Sequence, residues 1–171
     1  ISTFTCSDPQ AVFVFPAGTG LGGNEVMLGN GTHGFLLDTR VTGDLTVTVR
    51  VSDGSGHSVQ RQCTVTSRYP KFSAMIRTMS SAALYSDSPM TLIIRSTEYA
   101  GDYTVSYTTT STNCRVSYGG SMLRPDSPVT LEAGQHIFTA NSSYAERTEF
   151  VFTITDIYGQ SQQAQASITW R

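Results

Sequence analysis

Three cysteines, Cys6, Cys63 and Cys114, and three histidines, His33, His57 and His136, are the residues of this 171-residue chain whose types could carry nucleophilic or metal chemistry. A cysteine nucleophile needs a neighbouring base, and no local signature supplies one. Zinc needs three or four ligands at suitable spacing, whereas His33 and His136 sit in separate Gly-x-His-x-Phe segments with only His57 besides. The carboxylates Asp44, Asp53, Glu98, Asp102, Asp126, Glu132, Glu146, Glu149 and Asp156 are scattered, without the clustered Asp/Asn pattern of a calcium loop. The glycine-rich run at 18–23 lacks the following helix and the Lys-Ser/Thr of a phosphate-binding loop, so it reads as a hairpin loop. The expectation is a chain with no catalytic residue, no metal and no cofactor. Rings are the remaining chemistry: Tyr118, Tyr144, Tyr158 and Trp170 are candidate ligand contacts, since aromatics that reach solvent stack on sugars or anchor protein interfaces. Strand-end packing is the competing role for the same rings.

Those side chains must be positioned by two copies of one unit. Residues 31–68, moved forward by 103 positions, lie on 134–171 without a gap. Gly31, His33 and Phe35 fall on Gly134, His136 and Phe138, Asp53 and Gly56 on Asp156 and Gly159, and Gln60, Gln62 and Thr66 on Gln163, Gln165 and Thr169. The repeat divides the chain into a first domain at 1–68 and a second at 69–171. About 35 residues of the second copy, from Tyr69 to roughly Tyr103, have no counterpart in the first. Residues 1–6 correspond loosely to 105–114, so the first copy is expected to lack its opening strands.

Period-two alternation puts Val47, Val49 and Val51 on one face of a strand and Thr46, Thr48 and Arg50 on the other, with Phe150, Phe152 and Ile154 in the matching core positions. Asp53 and Gly56, like Asp156 and Gly159, have the types that open and close a tight hairpin turn. The return strand of the second copy offers Ala164, Ala166, Ile168 and Trp170 inward. Further strands are expected at 72–77, 90–95, 103–109, 115–118, 129–131 and 136–142, with no helix. About seven short strands per complete unit read as an all-β chain of two tandem immunoglobulin-like β-sandwiches.

Three cysteines cannot all pair within the chain. Cys6 and Cys63 both belong to the first copy and could form a disulfide in an oxidising compartment, or Cys63, matched by Ala166, is a buried small residue. Cys114 stays single on either account. About a quarter of the residues are Ser or Thr and only 14% are charged, which resembles an extracytoplasmic β protein. A net charge of −2 with no Lys/Arg cluster gives no footprint for nucleic acid or an anionic membrane. No apolar run is long enough to span a bilayer, and no signal-peptide pattern opens the chain, so any export signal or lipid anchor is expected upstream.

The run TVTVRVSDGSG at 46–56 and its partner FVFTITDIYG at 150–159 resemble the final hairpin of bacterial Ig-like and polycystic-kidney-disease-type domains. A wider likeness takes in YTVSY at 103–107, LRPD at 123–126, VTL at 129–131, FTANS at 138–142 and DIYGQ at 156–160, and it resembles the TraQ-like family found with conjugative transposons of gut bacteria. That resemblance implies an exported Ig-like protein of unassigned activity associated with conjugation machinery. The two tandem copies depart from a single-domain family member. The expected function is a non-enzymatic module, outside the cytoplasm of a bacterium, that contacts protein in a surface or conjugation assembly. A carbohydrate-binding or adhesion module using the loop rings is the alternative.

Overall fold

The computed structural model describes residues 1–15 and 19–171, so Gly18 of the glycine-rich run lies outside the described residues. Every regular element among them is a strand. The chain divides into two units, Ile1–Tyr69 and Pro70–Arg171.

The second unit is built from β8 (Phe72–Thr78), β9 (Ser81–Ala82), β10 (Ser88–Ser96), β11 (Tyr103–Thr109), β12 (Cys114–Tyr118), β13 (Ser121–Leu123), β14 (Val129–Leu131), β15 (Gly134–Ser142), β16 (Arg147–Thr155) and β17 (Ser161–Trp170). These ten strands form two five-stranded sheets, ordered β13-β12-β15-β10-β8 and β14-β11-β16-β17-β9, rather than the seven that turn spacing suggests. The extra strands are short edge segments of two or three residues, too brief to show an alternation. The two sheets share one core. Met90, Leu92, Ile94, Val116, Phe138 and Ala140 from one meet Tyr103, Val105, Tyr107, Phe150, Phe152, Ile154, Ile168 and Trp170 from the other. This is an immunoglobulin-like sandwich, with inward residues at every second position as pleated strands require.

The first unit contains β1 (Ser2–Cys6), β2 (Val12–Val14), β3 (Thr19–Gly22), β4 (Glu25–Met27), β5 (Leu36–Asp38), β6 (Gly43–Ser52) and β7 (Ser58–Ser67). Its sheets are β3-β4-β1-β6-β7 and the pair β2-β5. Cross-strand partners obey the 103-residue shift well beyond the segment where sequence alone shows it. Phe4 faces Val49 as Tyr107 faces Phe152, Ser2 faces Val26 as Val105 faces Val129, and Phe13 faces Leu37 as Val116 faces Ala140. Cys6 therefore occupies the place of Thr109, and Cys114 that of Ala11, which corrects the loose match of residues 1–6 to 105–114. Only β3 departs: it pairs with β4, whereas β13 pairs with β12 in the opposite sheet.

Among the described residues of the first unit, none forms a strand at the places of β8, β9 and β10. The core of the first unit is accordingly smaller, built on Phe4, Phe13, Val26 and Val47 with Phe15, Phe35 and Leu37 packed against them. The Phe4 ring is the hub, with centroids 4.8 Å from Phe15, 5.1 Å from Phe35 and 5.6 Å from Phe13. Where Ile154 is buried, its counterpart Val51 is exposed.

Candidate functional site

The residues singled out for chemistry have structural jobs in most cases. The Asp53 Oδ1 carboxylate oxygen accepts the backbone N–H groups of Ser55 and His57 at 2.8 and 3.0 Å. Asp156 does the same for Tyr158 and Gln160, both at 2.9 Å. Gly56 and Gly159 close these turns at φ 89° and 83°, the left-handed region that only glycine enters without strain. The hairpins β6–β7 and β16–β17 are thus fixed as expected. At Asp53 the His57 ring, 3.0 Å away, and the two N–H donors hold the carboxyl below its usual range.

His33 and His136 form the same clasp twice. Each Nε2 lies against the carbonyl oxygen four residues earlier, that of Gly29 at 2.7 Å and that of Glu132 at 2.8 Å. With Nε2–H donating, Nδ1 of His136 is left as an acceptor for the Tyr118 hydroxyl at 3.1 Å. Among the described residues no cluster of His, Cys, Asp or Glu could hold a metal ion. The repeated histidines are turn fasteners.

The disulfide expectation is corrected. Cys6 and Cys63 both lie opposite Val47, on the two strands that flank β6. Two strand spacings put their backbones about 9–10 Å apart, beyond the ~7 Å reach of a disulfide. Both thiols are free, and Cys63 is exposed rather than a buried small residue. Cys114 is also free but buried, and burial pushes its thiol up to about 11. A thiol so protonated is no nucleophile at neutral pH.

The four candidate rings divide. Trp170 is 1% exposed and donates its indole N–H to Thr148 Oγ1 at 3.1 Å, so it is a core residue and not a ligand contact. Tyr118 is half-buried against Phe138, its hydroxyl engaged by His136. Tyr158 and Tyr144 are exposed, but Tyr158 packs edge-on to Tyr99 at an interplanar angle of 65°. No flat row of rings results. A sugar platform built on all four is therefore not formed.

What alternation did not reveal is a contrast between the two outer faces of the second unit. On the sheet containing β11, β16 and β17, the outward residues are Thr104, Ser106, Thr108, Thr153, Thr155, Ser161, Gln163, Gln165, Ser167 and Thr169, with Val151 and the Arg147–Glu149 ion pair at 3.5 Å. The opposite sheet presents Met75, Ile93, Ile137 and Met122 among Arg77, Arg95 and Arg115. Antiparallel sheets with one face in water normally alternate towards polar side chains outside, so the second arrangement is the unusual one.

No family model matches the chain, and no curated protein matches it. Solved structures with some likeness include a conjugative transposon lipoprotein from Bacteroides eggerthii, at 13% identity and a TM-score of 0.49 over 59% of this chain and 98% of that one. A lipoprotein from Bacteroides thetaiotaomicron shows 19% identity and a TM-score of 0.49 over 61% and 83% of the two chains. The CARDB domain of a Pyrococcus furiosus protein, solved with two metal ions, shows 8% identity and a TM-score of 0.41 over 63% and 93%.

Proposed function

We propose that this chain is a non-enzymatic, extracytoplasmic immunoglobulin-like module whose work is contact with protein in a bacterial surface or conjugation assembly. The observation that carries the reading is the large apolar side chains left in solvent on the second unit: Met75, Met79, Tyr85, Met122, Ile137, Tyr144 and Ile157. Of these, Met75, Ile137 and Met122 share one sheet face, and grouped exposed apolar side chains mark protein, membrane or ligand contacts. The buried Cys114 thiol is held protonated, His33 and His136 are spent on backbone carbonyls and His57 on the Asp53 carboxylate, so among the described residues these groups are not assembled as acid, base and nucleophile.

The test is binding of the purified chain to envelope fractions of its native cell after two treatments. Proteinase K digestion should abolish binding and periodate oxidation should leave it intact. The reverse pattern would replace the protein reading with a glycan one, resting on Tyr144 and Tyr158.

A further inference from the structure

We infer that the outer face of the β13-β12-β15-β10-β8 sheet is the docking surface, and that it takes a protein surface with an apolar centre and a carboxylate-bearing rim. This deepens the protein-contact reading and rests on it. Cross-strand register lays the face out in rows: Arg95 beside Ser73, then Met75, Ile93 and Gln135, then Arg77, Thr91 and Ile137, then Pro89, Thr139, Ser117 and Met122, then Arg115 beside Asn141. Ile93, on β10 between Met75 and Gln135, is only 5% exposed, while Met75, Ile137 and Met122 of the same face are 42%, 61% and 63% exposed. No strand residue pointing out of this sheet is acidic. Arg77, Arg95 and Arg115 carry no ion pair among the described residues, although Asp87 lines one depression together with Arg115. Asp87 accepts from Asn141 Nδ2, and Glu98 accepts the Lys71 backbone N–H.

Composition and charge choose the occupant. Methionine and arginine are enriched, and lysine and carboxylates depleted, in the centres of protein interfaces. Unpaired guanidiniums spread around the apolar centre call for carboxylates opposite, preferably bidentate. Two copies of this face would bring six arginines together with no outward strand carboxylate to answer them, so the partner is not a second copy presenting the same face. Depressions of about 610 Å³ beside Lys71, Arg95 and Gly134, and of about 250 Å³ between Arg115, Met122 and Asn141, lie at opposite ends and can seat protruding side chains. Five strands and their lengths make the face roughly 19 by 25 Å, about 500 Å², against about 800 Å² per partner in a standard interface. The contact is therefore of the transient class.

A photo-crosslinking amino acid placed singly at Ile137, Met75, Gln163 and Tyr144 of the full chain in its native cell tests this. Adducts should form from Ile137 and Met75, map to partner peptides rich in Asp or Glu, and fall at least tenfold with Arg77→Glu and Arg95→Glu together while Arg147→Glu on the opposite face changes nothing. The melting temperature of each variant checks folding. Protein adducts from Gln163 or Tyr144 alone would overturn this surface and leave the protein-contact reading standing; no protein adduct from any position would remove both. Adducts to another copy of the chain, or binding of the purified chain to phosphatidylglycerol vesicles that Arg77→Glu abolishes, would overturn the choice of partner.

Discussion

Cys63 and Cys114 set the terms at the scale of single residues. One thiol is exposed and the other is held in the core, where its charged form is disfavoured by desolvation and by Glu146 nearby. Iodoacetamide at pH 8 should modify Cys63 within minutes and leave Cys114 untouched until the second unit unfolds, as read by peptide mass spectrometry. Prompt alkylation of Cys114 in the folded chain would contradict its burial. Trp170 gives a second residue-scale outcome. Trp170→Phe removes the N–H that satisfies Thr148 inside the core, so the second unit should lose about 1–3 kcal/mol in denaturant titration, by the cost of stranding a buried polar group. The inward position of Trp170 was legible in advance, since the alternation through Ala164, Ala166 and Ile168 ends on it. The fate of Cys6 and Cys63 was not, because membership of one domain says nothing about how many strands lie between two thiols.

At the scale of elements, the Asp-to-Gly hairpins are the best-specified parts of the chain. The Asp53 carboxyl is held below its ordinary 3.8 by the His57 side chain and by the Ser55 and His57 N–H groups. A lowered folded value means that the stabilisation is fully present above the unfolded value and is lost as pH falls through the lower folded one. Amide exchange at Ser55 and His57 should therefore quicken as pH is brought from 5 to below the ordinary carboxylate value, after correction for intrinsic rates, and Asp53→Asn should remove the pH dependence. Long strands such as β6, β7, β16 and β17 were readable because nine or ten residues give several alternations and their turns have unambiguous chemistry. The Met/Arg face was hidden for the opposite reason. The run Leu92-Ile93-Ile94 is apolar on both sides of the strand, so nothing in it says that Ile93 points outward.

At the scale of the whole molecule the two units differ in what they bury. The second closes a core of two five-stranded sheets, while the first packs a five-stranded sheet against a two-stranded pair and leaves Val51 and Cys63 in solvent. Stability follows buried apolar area, so heating or urea should melt residues 1–69 before residues 70–171. Hydrogen exchange read by mass spectrometry along a urea series should show two transitions in that order. A single transition with uniform protection would contradict the difference in core size. The constancy of the 103-residue shift adds a consequence for engineering. Because β7 and β17 span matched positions, β16 starts only one residue later than β6 would place it, and both hairpins meet matched neighbours in β1 and β11, residues 43–67 and 146–170 correspond one for one, and a chimaera carrying either hairpin twice needs no insertion or deletion to keep its joints in phase.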